Sequence, residues 1–234
     1  MDSRRTQLIA IGAFAAVIVV VAIVIGLGGS DGEGGSDGDL SASSAQVESL
    51  FEGIPQDGVR LGEPDAEATV IEFVDLQCPF CAEFAVNAMP RVVEERVRSG
   101  ELALELQILT FLGEDSVEAG QLAAAAAQQD RLWHFADLFF LNQGAENTGY
   151  VTEEFLTDLA EATPGLDAEE ALSQRDSDEA DELLTGADAL ARELGAMSTP
   201  SFWLERDGEE PVELRTRLDA ASFLDAVDSE LAGR

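Results

Sequence analysis

The amino-acid sequence predicts an α/β domain with a long helical insertion, which follows a single transmembrane helix and a disordered linker. A short β-branched and aromatic run at 70–74 leads directly into a helical pattern. About eighty residues of helical character, 116–194, then separate this region from a second strand region. A β-hairpin and a further helix follow, so we expect one compact domain at 47–234.

The chain is strongly acidic. Its 234 residues include 47 Asp and Glu against 13 basic residues, all of them Arg, which gives a net charge of −34. Such a surface repels nucleic acid and anionic lipid headgroups, so neither is an expected partner. The only two cysteines lie in one motif, which leaves none for a structural disulfide framework.

Residues 8–27 form a run of twenty residues without a charge. As a helix it would be about 30 Å long, which matches the hydrocarbon thickness of a bilayer. Arg4 and Arg5 precede the run and acidic residues follow it. Residues 1–7 are therefore expected in the cytoplasm, and the domain outside, on a single-pass anchor in the cell membrane.

A cleaved signal peptide is the alternative interpretation of this run. The apolar region of a signal peptide usually has about 7–15 residues and ends in an A-x-A-like site. Here the run is longer and ends in a Gly-rich sequence, which favours a retained anchor.

A linker rich in Gly, Ser and Asp is expected at 28–46, where GGSDG occurs at 28–32 and again at 34–38. Such residues bury little apolar surface, so the segment is predicted to be disordered, with an end-to-end distance of about 25 Å. A short amphipathic helix is expected at 47–54, followed by a turn and a short strand at 56–62.

Two cysteines follow the strand at 70–74, which is apolar enough to be buried on both faces of a mostly parallel sheet. In the motif Cys78-Pro79-Phe80-Cys81, proline stands one residue inside a helix start, where its missing N–H costs little. Cys78 is therefore expected at a helix N-terminus, where the positive end of the dipole lowers a thiol pKa. Cys81 lies one turn later, within reach of a disulfide to Cys78, so the pair is expected to cycle between dithiol and disulfide.

Two other uses of this motif are a disulfide staple and a zinc site. A staple across four residues would stabilise little, because the entropic gain grows with loop length. Zinc requires three or four ligands, whereas the chain offers these two cysteines and the lone His134, which is expected to pack on an aromatic helix face. We therefore favour redox chemistry and expect no metal and no cofactor.

The remaining elements follow in order. The helix begun at Cys78 is expected to run to about Arg98, with a kink at Pro90. A more exposed strand of alternating character is expected at 102–111. After the helical block, Asp207-Gly208 is typical of a hairpin turn, the second hairpin strand is expected at 212–217, and the last helix at 219–231.

This order of elements resembles the DsbA-like thiol:disulfide oxidoreductases, which have a thioredoxin-like fold with a helical insertion. The match spans roughly residues 50–232, and the residues that carry it are Ile54–Gly58, Val70–Asp75, Cys78–Cys81, the Ala-rich helix with Leu132–Phe135, and Ser198–Phe202. The resemblance implies an extracytoplasmic enzyme that forms or exchanges disulfides in thiol-containing proteins. It further implies that Cys78 is the attacking and attacked sulfur and that Cys81 is its buried partner.

The resemblance carries over three further residues. Thr199-Pro200 matches a family loop with a cis-proline that faces the two cysteines, and exposes backbone groups for an extended substrate segment. Glu72 matches an acidic residue beneath the motif; it is expected to be buried with a raised pKa, and either takes a proton from Cys81 through water or is a strand residue satisfied locally. Phe80 departs from the family, because the strongest oxidants have His at this position.

Three functions are compatible with the sequence. The first is a membrane-tethered disulfide oxidase that is re-oxidised by a quinone-linked membrane partner. The second is a disulfide reductase or isomerase, which uses the same chemistry in another direction. The third, of a different class, is a peptide-binding, chaperone-like module in which the cysteines are incidental.

Overall fold

A six-stranded mixed sheet in the order β1-β2-β4-β3-β5-β6 organises the computed structural model, which describes residues 37–206 and 208–233. The strands are β1 (Gln56–Asp57), β2 (Arg60–Leu61), β3 (Ala68–Val74), β4 (Leu102–Ile108), β5 (Ser201–Glu205) and β6 (Val212–Glu213). Among these strands, β3 and β4 are parallel and every other pairing is antiparallel. The sheet is therefore less parallel than the sequence indicated.

Strands β3 and β4 lie at the centre of the sheet. All of β3 is buried, as its mostly apolar run predicts, and this includes Glu72. The prediction that β4 is more exposed is wrong, because it pairs with both β2 and β3 and only Glu105 is partly accessible. Alternation along β4 reflects two covered faces of different composition and not one face in water.

Nine α-helices surround the sheet within the described residues. They are α1 (Asp37–Phe51), α2 (Pro79–Asn87), α3 (Met89–Val92), α4 (Glu114–Ala127), α5 (Leu132–Leu141), α6 (Glu153–Ala162), α7 (Ala168–Gln174), α8 (Asp178–Leu194) and α9 (Ala220–Ala232). Helices α4–α8 form the predicted insertion between β4 and β5.

The helix that begins at the cysteine motif is interrupted earlier than predicted. Its break lies at Ala88 (φ −111°, ψ −44°), two residues before Pro90, and a π-helical turn at Val93–Val97 follows α3. Pro90 cannot donate to the preceding turn, so the chain ends one helix and starts another with proline in its first turn. Gly100 then adopts a left-handed φ of 78°, which ends this helical region.

The helix α1 begins ten residues before the expected start at Val47. The predicted disordered linker, 28–46, is therefore wrong for 37–46, where a run of Ser and Ala with Leu40 and Val47 gives enough apolar contact to order a helix. The expected cytoplasmic segment 1–7, the transmembrane helix 8–27 and the start of the linker lie outside the described residues. No helix within 37–206 and 208–233 is both long and apolar enough to cross a bilayer.

The two faces of the sheet bury separate cores. Val70, Glu72 and Val74 share one face of β3 by alternation, and the larger core includes Val70 and Val74 with residues of α2 and α5. Ile71 and Phe73 point to the other face, where they pack with Trp203 and α8. This division places Glu72 beneath the helix that carries the cysteines.

The last strand is shorter than predicted, whereas the last helix lies within one residue of its predicted bounds, 219–231. Strand β6 covers Val212–Glu213 only, and Asp207 of the expected turn lies outside the described residues. Helix α9 follows, and the Asp219 side chain accepts a hydrogen bond from Ser222 N, which caps its N-terminus.

Candidate active site

Cys78 occupies the N-cap position of α2. Its backbone is extended (φ −73°, ψ 117°), and Pro79 follows as the first helical residue. The Cys78 N–H donates to Asp75 O at 2.9 Å, while Cys78 O accepts from Cys81 N at 3.1 Å. These bonds hold the sulfur at the point where strand β3 turns into the helix, as the sequence predicts.

Cys78 is only 4% exposed, and several hydrogen bonds to its sulfur favour the thiolate. The Cys81 thiol donates to it and is the largest influence on its pKa. Hydrogen bonds from the Thr199 side chain and from the backbone N–H groups of Phe80 and Cys81 also lower the pKa of the sulfur. Burial acts in the opposite direction. The net effect is that the pKa of Cys78 falls to about 6. The helix start therefore contributes as predicted, but the second cysteine contributes more.

Cys81 has the opposite character. It is fully buried, and its pKa lies well above the usual thiol value because of burial, its donated bond to Cys78 and the nearby charges of Cys78 and Glu72. Both cysteines are present as free thiols. One sulfur thus favours the thiolate and the other the thiol, which is an arrangement suited to nucleophilic attack by one and resolution by the other.

The Thr199-Pro200 peptide bond is cis and lies beside the cysteines. Cys78 Sγ is 3.4 Å from Thr199 O, across 121 positions of sequence. Antiparallel pairing of β5 with β3 produces this approach, because it brings the start of β5 to the end of β3 from which the cysteine turn leaves. The structure therefore brings together four of the predicted site positions, Cys78, Cys81, Thr199 and Pro200.

Asp75 is a structural residue of the site that sequence reasoning did not single out. Its Oδ1 accepts from Gln77 N, and its Oδ2 accepts from Phe111 N, Leu112 N and Ser116 Oγ at 2.7–3.0 Å. The carboxylate thus joins the cysteine turn to the loop after β4. An acidic residue at the end of a mostly apolar strand, three residues before Cys78, was the available signal.

Two glutamines tie the insertion to the cysteine turn. Gln143 Nε2 donates to Leu76 O at 2.6 Å and to Cys78 O at 3.2 Å. Gln77 donates to Tyr150 OH at 2.9 Å and accepts from Asn147 N at 3.2 Å. The loop between α5 and α6 is therefore attached to the backbone around Cys78, a relationship that no local sequence pattern signals.

Glu72 is buried, 3% exposed, as its position on β3 predicts. Burial, together with the charge of the neighbouring Asp137, raises the pKa of Glu72 to about 8. The pKa of Cys81 is in turn raised by Glu72, so the acid lies within electrostatic reach of the buried thiol.

Exposed apolar side chains occur on the segments that position the reactive sulfur. Phe80, within the motif, is 59% exposed, and Met197, two residues before Thr199, is 91% exposed. Phe111 is also exposed, on the loop that Asp75 fastens. Apolar groups on several loops around one nucleophile are typical of a surface that receives peptide segments.

His134 lies in a different part of the core. Its ring packs on Phe51 at 5.2 Å between centroids, and its Nδ1 is 2.9 Å from Gln56 Nε2. This matches its predicted packing role. No cluster of three or more His, Cys, Asp or Glu side chains within the described residues has an arrangement that could hold a metal.

Comparison with known proteins gives concordant matches. A family model described as Thioredoxin matches residues 55–224. Probable disulfide bond formation protein D of Bacillus anthracis is 30% identical over 178 residues, which cover 73% of this chain and 77% of the relative. Disulfide bond formation protein D of Bacillus subtilis is 25% identical over 180 residues, covering 74% and 77% respectively.

Solved structures agree on the fold. Oxidised BdbD from Bacillus subtilis superposes with a TM-score of 0.65 at 22% identity, covering 76% of this chain and 97% of that one. DsbA from Chlamydia trachomatis gives a TM-score of 0.61 at 19% identity, covering 75% and 91%. The chain therefore belongs to the thioredoxin-fold family of DsbA-like thiol:disulfide oxidoreductases.

Proposed function

We propose that the protein oxidises pairs of thiols to disulfides in substrate proteins outside the cytoplasm. The observation that carries the proposal is the placement of the Cys78 sulfur at the N-cap of α2, where the Cys81 thiol donates a hydrogen bond to it; these contacts lower the pKa of Cys78 to about 6. Stabilising the thiolate stabilises the reduced enzyme, and a dithiol enzyme that is stable in its reduced form has an oxidising disulfide. The names of the Bacillus relatives, which describe disulfide bond formation, support the same direction.

The reaction follows from the asymmetry of the two sulfurs. In the oxidised enzyme a substrate thiolate attacks Cys78 Sγ, the Cys78–Cys81 bond breaks, and its electron pair leaves on Cys81, which takes up a proton. A second substrate thiolate then attacks the substrate sulfur of the mixed disulfide, and Cys78 leaves as a thiolate. The substrate loses two electrons and the enzyme becomes a dithiol. Cys78 therefore serves as attacked sulfur and Cys81 as its buried partner.

Thr199 and Pro200 are proposed to hold the substrate segment beside Cys78. Pro200 has no N–H, and an extended peptide placed along this loop can pair with the backbone of Thr199, next to the sulfur. The apolar side chains of Phe80 and Met197 flank that path and favour peptide segments with apolar residues. Unfolded secreted or membrane proteins present such segments with their cysteines accessible.

Each turnover leaves two electrons on the enzyme, so re-oxidation needs an acceptor. We propose a quinone-linked membrane protein, to which the predicted anchor at 8–27 would keep the domain close. This part of the proposal rests on the sequence of the N-terminal segment, whose arginines precede the apolar run.

The test is the equilibrium of the Cys78/Cys81 couple against glutathione, together with the refolding of a reduced protein whose activity depends on its disulfides. We expect a potential between those of DsbA and protein disulfide isomerase, about −120 to −180 mV, and recovery of activity by the oxidised enzyme. A potential below about −250 mV would contradict the oxidase direction and favour a reductase. Cys78→Ala should abolish recovery; retention of the cellular function by this variant would favour a peptide-binding module.

A further inference from the structure

A small cavity beneath the cysteine helix brings two buried carboxyl groups together. Glu72 of β3 and Asp137 of α5 both line it, and they are 3% and 6% exposed. Its volume is about 20 Å³, which accommodates one water molecule. Asp137 lies on a helix of otherwise apolar and aromatic residues, so its carboxyl group has no evident structural reason to be there.

The rest of the cavity wall offers these acids no counter-charge. The other lining side chains are Ala85, Met89, Leu106, Trp133, Ala136 and Phe140, none of which titrates. Neither carboxyl has a hydrogen-bond partner or cation among the described residues. Two buried carboxyls without partners are costly to keep, which points to a use for them.

The wall of the cavity comes within one helical turn of the buried thiol along α2. Ala85 is one helical turn beyond Cys81 on the same face of α2, and Glu72 raises the pKa of Cys81 by its charge. Cys81 is therefore the third titratable group of this region, contributed by the helix packed over the other two.

We propose that Asp137 is a positioning residue for Glu72: the two carboxyl groups hold a single proton between them in the cavity, and Asp137 fixes the pH at which Glu72 gains or loses that proton. The resemblance already implies proton exchange between Glu72 and Cys81, and the new element is that Glu72 exchanges the proton as one half of a carboxyl pair. The inference deepens the proposed function and rests on it, because it assigns the source of a proton in that reaction.

The electrostatics of the pair support this assignment. Burial raises the pKa of Asp137 to about 7, and the charge of Asp137 adds to burial in raising that of Glu72. Two carboxylates in one apolar cavity cannot both ionise cheaply, so they titrate as a pair. Near neutral pH the pair then holds one proton, which it can give to the Cys81 thiolate and later take back from the Cys81 thiol.

The proton balance follows the direction of electron flow. When substrate attacks Cys78, the Cys81 thiolate that leaves takes the shared proton, and the pair is recharged from water. When the dithiol is re-oxidised, the Cys81 thiol gives its proton to the pair before its sulfur attacks the mixed disulfide on Cys78. The pair passes one proton on to water, so that it again holds a single proton. No additional oxidant or reductant takes part in either transfer.

The test uses Glu72→Gln, Asp137→Asn and the double variant of the full chain. The dithiol protein is mixed with oxidised glutathione, and rapid quenching with mass spectrometry separates formation of the Cys78 mixed disulfide from its resolution by Cys81. We expect Glu72→Gln to slow resolution at pH 7 at least tenfold. Asp137→Asn should move the pH profile of resolution to lower pH, because loss of the neighbouring charge lowers the pKa of Glu72. The double variant should resemble Glu72→Gln.

Asp158→Asn is the matched control, since it makes the same chemical change at an exposed position on α6 and should leave the profile unchanged. If the pH profile of resolution in Asp137→Asn superposed on that of the wild type while the mixed disulfide formed normally, the proposed carboxyl pair would be refuted and the proposed function would stand. Absence of the mixed disulfide in the wild type would instead contradict the proposed function.

Infrared spectroscopy of the wild-type protein provides a second measurement that does not depend on the folding of any variant. We expect a C=O band of a protonated carboxyl group that persists at neutral pH and disappears as the pH is raised. Its absence at neutral pH would contradict the shared proton.

Discussion

The largest influence on the pKa of Cys78 is the hydrogen bond from the thiol of Cys81, so a pair of substitutions at Cys81 can isolate the contribution of this bond. Cys81→Ala removes the donor that stabilises the Cys78 thiolate. Cys81→Ser retains a hydroxyl donor in nearly the same place and serves as the matched variant. We expect the pKa of Cys78 to rise markedly in Cys81→Ala and to stay low in Cys81→Ser.

The size of the effect follows from the lowering of the Cys78 pKa from 9.0 to about 6. At pH 7 a thiol with a pKa near 6 is about 90% thiolate, whereas one with a pKa near 9 is about 1% thiolate. The full lowering corresponds to at most about 4 kcal/mol of thiolate stabilisation, and to less where solvent screens the sulfur. Cys81→Ala should therefore lose a substantial part of a near hundredfold advantage in thiolate population.

The same lowering makes the stability of the reduced protein depend on pH. A depressed pKa contributes stability that is fully present above the unfolded value of about 9 and is lost as the pH falls through about 6.

For the Cys81 variants, the pKa of Cys78 is measured by the ultraviolet absorbance of the thiolate against pH and by the rate of alkylation of Cys78. If Cys81→Ala titrated at the same pH as Cys81→Ser and the wild type, the assignment of the main stabilising contact to Cys81 would be wrong.

Three further predictions concern stability. Asp75→Asn should destabilise the protein by about 1–3 kcal/mol in denaturant unfolding, because it replaces a buried acceptor of four hydrogen bonds, and unchanged stability would refute that role. Gly120→Ala should lower the free energy of unfolding by about 1–3 kcal/mol, since its new methyl group would collide with Thr110. Gly186→Ala on α8 is the control: its methyl group meets nothing within 4 Å, so this variant should gain up to about 1 kcal/mol. Equal effects of the two substitutions would contradict the packing described. Asp137→Asn should be more stable than the wild type above pH 7 but not near pH 4. Burial raises the pKa of Asp137 from 3.8 to about 7, so the wild type loses stability as the pH rises across that window. A constant difference in stability between pH 4 and pH 8 would contradict this.

The parts of the fold and of the site whose conformation depends on a few neighbouring residues could be predicted from the sequence. The apolar run of β3, the proline after Cys78 and the Thr199-Pro200 pair each impose a conformation on their own few residues, and the structure shows those conformations. The order of strands and insertion was also predictable, because the resemblance covers most of the domain.

The errors arose where distant contacts decide the outcome. Strand β4 alternates in sequence, but β2 and β3 pair along both of its edges and helical segments pack on its faces. Helix α1 extends into a segment of weak propensity, where Ser44 Oγ donates to Ala162 O at 2.6 Å on the insertion. Asp137 sits in an apolar helix, and nothing nearby in sequence indicates that it would meet Glu72 across a cavity.

The four-way bonding of Asp75 has a consequence for the dynamics of the protein. A single carboxylate joins the end of β3, the cysteine turn, the loop at 109–113 and the start of α4, so we expect these segments to open together. Hydrogen exchange should therefore report one cooperative opening event for the amides of Gln77, Phe111 and Leu112, and a common free energy of exchange is the expected observation. The nucleophile would then rest on a small foldon that opens as a unit.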